Sequence, residues 1–180
     1  LLALKTYANP GIRFEHLSID DGLSQNSVYS ILQDSKGFMW FGTLDGLNKF
    51  DGYNFTVFKH NGSDSASIAN NYIYTIFEDD SGYIWAGTRG GLSRFDPATE
   101  RFKNYRHDPK DPHSLSNNLV LAITEFSDEG KSELWIGTYG GGLNRFDPET
   151  EKFSHYRHDP NEKSSLKSNF VRSLHISEYS

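Results

Sequence analysis

The sequence predicts an all-β protein made of β-propeller blades, each with four antiparallel strands. Two observations support this prediction: a repeated unit of short strands and turns, and a tryptophan in the same position of each copy. Trp40, Trp85 and Trp135 follow one another at intervals of 45 and 50 residues. Four short strands in about 45 residues are typical of one blade. Three full copies predict an incomplete propeller, since closed rings use about four to eight blades.

The first strand of each copy follows a short polar lead. These strands are expected over Val28 to Asp34, Ile73 to Asp79 and Val120 to Phe126. Each lead contains asparagine, which suits a turn because its side chain bonds to nearby backbone and tolerates left-handed geometry. The four lead asparagines are Asn26, Asn71, Asn118 and Asn169.

The second and third strands carry the most regular part of the repeat. Each tryptophan is followed two residues later by glycine (Gly42, Gly87 and Gly137) and then by threonine, a turn, and a segment that ends in Phe-Asp. A propeller blade packs its faces against its neighbours, so we expect the tryptophans to lie between adjacent blades. Burial of one indole removes about 150–250 Å² from water.

The outer strands and the repeat phase define the domain boundaries. Outer strands are expected at Phe55 to Phe58, Phe102 to Tyr105 and Phe153 to Tyr156. Residues 1–13 are predicted to be an N-terminal extension, and residues 14–180 a partial propeller. Its blades are expected at 28–58, 72–106 and 119–157, with an outer strand of a preceding blade at 14–19 and the start of a fourth blade at 170–177.

Composition and motifs exclude several classes of function. The net charge of −6 argues against a nucleic-acid partner, which would require a basic surface. The chain has no cysteine, and its histidines lack metal-ligand spacing, so no metal and no cofactor is expected. The Arg-His-Asp-Pro strings at 106–109 and 157–160 recur at one repeat phase, which favours a structural turn over a catalytic site.

Ligand contacts are expected in the turns that follow the Gly-Thr pairs. Asp45, Arg89 and Tyr139 lie in these turns, where the sequence varies between otherwise constant neighbours. Variable loops on a constant scaffold are the usual place for a binding site. An acid, a base and a stacking ring suit a sugar, and ordinary exposed loop residues are the alternative.

Residues Leu23 to Asp51, which read LSQNSVYSILQDSKGFMWFGTLDGLNKFD, resemble the two-component regulator propeller repeat. The resemblance implies the periplasmic sensor region of a hybrid histidine kinase and response regulator that detects polysaccharide breakdown products. It also implies that a β-sandwich, a membrane helix and the kinase lie in segments absent from this chain. The chain itself is therefore expected to be a binding module and not an enzyme.

The expected partners follow from the same resemblance and from the open ends of the array. We expect an oligosaccharide ligand, and either further blades of the parent chain or a second copy covering the exposed blade faces. Membrane attachment is expected only through the missing downstream segments. The alternatives are a propeller-type polysaccharide lyase or glycoside hydrolase, and a protein-interaction scaffold.

Overall fold

The computed structural model describes residues 15–128 and 130–177, and these residues form three four-stranded antiparallel sheets. The predicted all-β blade architecture is confirmed. The strands are β1 (Val28–Gln33), β2 (Met39–Thr43), β3 (Gly46–Phe50) and β4 (Phe55–Phe58) in the first sheet, β5 (Ile73–Glu78), β6 (Ile84–Thr88), β7 (Gly91–Asp96) and β8 (Arg101–Tyr105) in the second, and β9 (Val120–Asp128), β10 (Lys131–Thr138), β11 (Leu143–Asp147) and β12 (Lys152–Tyr156) in the third. Within each sheet the strands pair in chain order, from an inner first strand to an outer fourth strand.

The alternating strand directions give each blade two edges with different loops. We call the edge with the β2–β3, β6–β7 and β10–β11 turns the upper face, which also carries the connections between blades. The opposite edge, the lower face, carries the turns after the first and third strands of each blade. Among the described residues, no helix is long and apolar enough to span a membrane.

Aromatic side chains fill the space between neighbouring blades. Trp40 stacks on Phe58 of its own blade and meets Phe95 of the second blade edge-on, with ring centroids 5.3 Å apart. Trp85 repeats this arrangement with Tyr105 and with Phe146 of the third blade, at 5.5 Å. Both indoles are 1% exposed, so each junction has a dry core.

The glycine two residues after each tryptophan lets the next blade approach closely. A β-carbon on Gly87 would lie 2.5 Å from Thr75 Cγ2 and 2.7 Å from Val120 Cγ1 of the third blade. A β-carbon on Gly42 would lie 2.8 Å from Ile73 Cγ2 of the second blade. Glycine is therefore found at these positions because a larger residue has no space. Its backbone freedom is not the reason, since the backbone here has ordinary strand geometry.

Carboxylates on the lower face join neighbouring blades by hydrogen bonds. Glu78, at the end of β5, accepts bonds of 2.7 Å from both the backbone amide and the hydroxyl of Ser35 in the first blade. Glu125 in β9 accepts a 2.8 Å bond from the backbone amide of Asp80 in the second blade. The same inner-strand position thus links each blade to the turn of the blade before it.

The connections between blades run beside the outer strand of the next blade. The amide of Phe102 in β8 donates to the carbonyl of Ala66, and the amide of Phe153 in β12 donates to the carbonyl of His113, both at 2.9 Å. These bonds satisfy part of an edge that would otherwise offer unpaired backbone groups to other chains.

The two flanking strands expected at 14–19 and 170–177 do not form in the described residues. Phe14 lies outside those residues, 15–18 have no regular structure, and Ile19–Asp21 form a 3-10 turn. At the other end, Phe170 makes an isolated bridge to Tyr139, and 171–177 form no strand. By its position in the repeat, each segment corresponds to a single strand of a further blade. The described residues include no other strand of that blade with which it could pair.

Candidate functional site

The turns of the upper face are held by the threonine of each Gly-Thr pair. Thr43 Oγ1 donates to the carbonyl of Gly46 at 3.0 Å and accepts the amide of Asp45 at 3.0 Å. Thr88 holds the second turn through the carbonyl of Gly91 and the amide of Gly90. These buried hydroxyls fix the turn backbone, so the variable side chains are presented from a rigid frame.

The lead asparagines tie the blade connections together. The side-chain oxygens of Asn71, Asn118 and Asn169 each accept a 2.7 Å bond from the amide of the histidine eleven residues earlier. Asn26 accepts from the amide of Ile19 at 3.0 Å. None of the four adopts the left-handed geometry that asparagine tolerates: the non-glycine residues with positive φ in the described part are Glu100 and Glu151. Asparagine suits these positions because its side-chain oxygen accepts a hydrogen bond from a backbone amide.

The histidines of these connections are also structural. Nδ1 of His107 lies 2.8 Å from the carbonyl oxygen of Leu115, and Nδ1 of His158 lies 2.7 Å from that of Leu166. His60 makes the same contact with Ile68 at 2.8 Å. The two Arg-His-Asp-Pro strings therefore close the connecting loops after the second and third blades, and His60 has the same role after the first.

Asp45, the first of the predicted ligand contacts, is engaged within its own blade. Its carboxylate lies 2.6 Å from the ammonium group of Lys59, and both side chains are partly exposed. The two equivalent turns have Gly90 and Gly140 in the place of Asp45. Lys59 thus neutralises the carboxylate of the turn in the first blade, whereas the turns of the second and third blades have no carboxylate.

Arg89 projects from the second turn and is exposed. Its guanidinium carbon lies 5.5 Å from the ring centroid of Tyr72, which is 38% exposed. The backbone amide of Arg89 donates to the carbonyl of Tyr72 at 3.1 Å, and this bond fixes the backbones of the two residues relative to each other. A cation–π contact of this kind orients the guanidinium without neutralising its charge.

Tyr139 lies at a cleft between the second blade, the third blade and the segment that follows. We call this the Tyr139 cleft; it has a volume of about 330 Å³. It is lined by Tyr74, Leu119, Leu121, Tyr139 and Arg172. The Tyr139 ring meets Phe170 edge-on with centroids 4.7 Å apart, and both rings remain about half exposed.

Only one of the three predicted ligand contacts therefore lines this cleft. Sequence reasoning missed Tyr74, Leu121 and Arg172, which occupy the second position of successive inner-strand segments. The signal that identifies them is present: this position varies as Tyr29, Tyr74, Leu121 and Arg172, while the preceding residue is always valine or isoleucine.

A second concavity, on the lower face, is larger and acidic. It has a volume of about 700 Å³ and is lined in part by Glu78, Asp79, Asp80 and Asp96. All four carboxylates already accept structural hydrogen bonds: Glu78 from Ser35, Asp79 from Trp85, Asp80 from Ser127 and Asp96 from the backbone amide of Ala98. In residues 15–128 and 130–177, no group of three or more histidine and acidic side chains has the arrangement of a metal site.

Comparisons with known proteins agree with this architecture. The two-component regulator propeller profile matches residues 22–45 and 67–90. Over 61 residues, the chain is 49% identical to histidine kinase P4 of Formosa agariphila. The extracellular domain of the hybrid two-component system BT3049 of B. thetaiotaomicron is 38% identical with a TM-score of 0.78 over 88% of the chain. The extracellular domain of the one-component system BT4673 of that organism is 25% identical with a TM-score of 0.68 over 89%.

The chain spans a small part of each of these proteins. The match covers 34% of this chain and 4% of the kinase, and 22% of each of the two solved extracellular domains. The similarity therefore concerns the propeller repeats. Residues 22–45 and 67–90 thus match repeats of the two-component regulator propeller family, and the fold of the chain is similar to part of the extracellular domains of two-component systems.

Proposed function

We propose that this chain is part of the periplasmic sensor region of a two-component regulator and that its upper face binds a glycan fragment. The Tyr139 cleft carries this proposal. It combines aromatic rings, aliphatic walls and a guanidinium group in a concavity large enough for one or two sugar rings. The exposed face of an aromatic ring packs against the C–H face of a pyranose.

The rigidity of the surrounding frame supports a binding role. Tyr139 donates its backbone amide to the carbonyl of Leu119 at 2.9 Å, and Gly140 donates to the carbonyl of Asn169 at 3.0 Å. The turn is thereby fixed to the leads of two successive blades. A preorganised site loses little conformational entropy when a ligand binds.

Signal transmission then depends on the neighbouring elements of the parent protein. The cleft is bordered by two complete blades and by the first residues of the next segment, so a ligand contacts all three. A ligand that binds two blade arrangements unequally shifts their populations. We propose that such a shift controls an attached histidine kinase, and that further blades of the parent chain pack on the Trp135 side of the third blade.

Isothermal titration of the intact natural protein with a panel of oligosaccharides tests the binding proposal. We expect heat of binding without product formation, and loss of that binding in Tyr139→Ala. Tyr53→Ala is the matched control, since Tyr53 is 89% exposed on the lower face. Turnover of the sugar, or binding that Tyr139→Ala leaves unchanged, would contradict the proposal.

A further inference from the structure

We propose that the Tyr139 cleft selects sugars that carry a negative charge, such as a carboxylate or a sulfate, and that Arg172 binds the charged group. This inference rests on the proposed glycan-binding function and names the class of ligand. The charge distribution around the cleft differs from that of the chain as a whole.

The segments that form the cleft have no acidic side chain. Residues 70–74, 117–121, 139–142 and 167–172 contain no aspartate or glutamate, whereas Lys167 and Arg172 are both present and exposed. The whole chain has a formal net charge of −6. A net negative protein repels anions at long range, so selection of an anionic sugar has to come from this local cationic region.

Arg172 is positioned to contact a ligand. It lines the cleft beside Tyr74 and Tyr139, and its neighbour Val171 is anchored by a 3.1 Å bond from its amide to the carbonyl of Thr138. The ion pairs among the described residues are Lys59–Asp45, Arg101–Asp64, Lys103–Glu151 and Arg145–Glu133, so none involves Arg172. A guanidinium in this setting offers a planar pair of donors that matches a carboxylate or a sulfate.

The adjacent turns reinforce the preference. Arg89 lies exposed on the same face, over Tyr72, and is in none of the ion pairs among the described residues. The one carboxylate in the three variable turns, Asp45, lies in the first blade and is paired with Lys59. The third turn, beside the cleft, consists of Tyr139 and three glycines, so no acid opposes an anionic ligand there.

The test is isothermal titration of the intact natural protein with three trisaccharides of similar size: one neutral, one containing a uronic acid, and one sulfated. We expect at least one acidic sugar to bind about tenfold or more tightly than the neutral one, since hydrogen bonds between two charged groups are stronger than those between neutral groups. Arg172→Gln should remove this advantage, and Arg172→Lys should restore part of it. Arg101→Gln is the matched control, because Arg101 pairs with Asp64 away from the cleft.

The outcomes separate the two proposals. If the neutral sugar binds as tightly as the acidic ones and Tyr139→Ala abolishes its binding, the charge preference is wrong and the glycan-binding function stands. If Arg172→Gln leaves the preference for acidic sugars unchanged, Arg172 is not the group that recognises the charge. If none of the three sugars binds, both proposals are overturned.

Discussion

Asp79 accepts a 2.6 Å hydrogen bond from the indole nitrogen of Trp85, and the two residues belong to the same hairpin. The other carboxylate oxygen of Asp79 accepts the backbone amides of Ser81 and Tyr83 at 3.0 and 2.9 Å. Asp34 and Trp40 repeat the relationship in the first blade, at 2.8 Å. One carboxylate thus closes the lower turn and satisfies the buried indole, which connects the turn sequence to the core between blades.

Asp79→Ala should lower the free energy of unfolding by about 2 kcal/mol or more, because it leaves a buried indole N–H and two turn amides without their acceptor. Asp79→Asn should have a smaller effect, since the amide keeps one acceptor oxygen. Urea denaturation followed by circular dichroism measures both. Equal stability of the alanine variant and the wild type would show that the bond to Trp85 contributes nothing.

Gly87→Ala should destabilise the chain by about 1–3 kcal/mol through overpacking, because the added methyl group meets Thr75 and Val120 at less than 3.0 Å. Gly62→Ala is the control: its β-carbon would meet nothing within 4 Å. We expect that variant to lie within about 0.5 kcal/mol of the wild type. Comparable losses in the two variants would rule out close packing between blades as the reason for glycine at 87.

Two carboxylates at blade junctions should respond to pH in opposite directions. Hydrogen bonding to the ammonium group of Lys103 lowers the pKa of Glu151, so its contribution to stability is present above the unfolded pKa and lost as the pH falls through the folded one. Burial raises the pKa of Glu125, so its contribution is present below the unfolded pKa and lost as the pH rises through the folded one.

The measurement is urea denaturation of Glu151→Gln and Glu125→Gln between about pH 7 and pH 3, the range in which carboxyl groups titrate. As the pH falls, the wild type should lose stability relative to Glu151→Gln and gain stability relative to Glu125→Gln. Parallel pH profiles for the two variants would contradict the assignment. The opposite signs make each variant the control for the other.

The sequence alone predicts most of this fold, because residues that pack in the same way in successive blades recur at the same place in each repeat. The tryptophans, the Gly-Thr pairs and the Phe-Asp segments are regular since the first and second blades bury the same groups against the blade that follows. The contacts of the lead asparagines were harder to infer. Their side-chain oxygens accept bonds from backbone amides seven residues away for Asn26 and eleven residues away for the other three, and sequence spacing gives no direct measure of that approach.

The proposed ligand site was less accessible to sequence reasoning for the same physical reason. A cleft forms where variable residues of different blades come together. The position of a residue within its repeat does not give its distance from residues of the other blades. Asp45 and Tyr139 hold almost the same place in their repeats, yet Asp45 is paired with Lys59 whereas Tyr139 borders a cavity. Contact of Asp45 and Arg89 with a ligand stays a prediction.

Trp135 should contribute less to the stability of this chain than Trp85. Both stack on a tyrosine of their own blade, Trp85 on Tyr105 and Trp135 on Tyr156, at nearly the same angle. Trp85 is also covered by Phe146 of the next blade, whereas Trp135 is half-buried beside Phe126 and residues 174–176. We expect Trp85→Ala to cost about 3–5 kcal/mol and Trp135→Ala about 1–2 kcal/mol, measured by urea denaturation. In a longer protein whose next blade covers this face with a phenylalanine, the two losses should become equal, and equal losses in the present chain would mean that its last blade face is already covered.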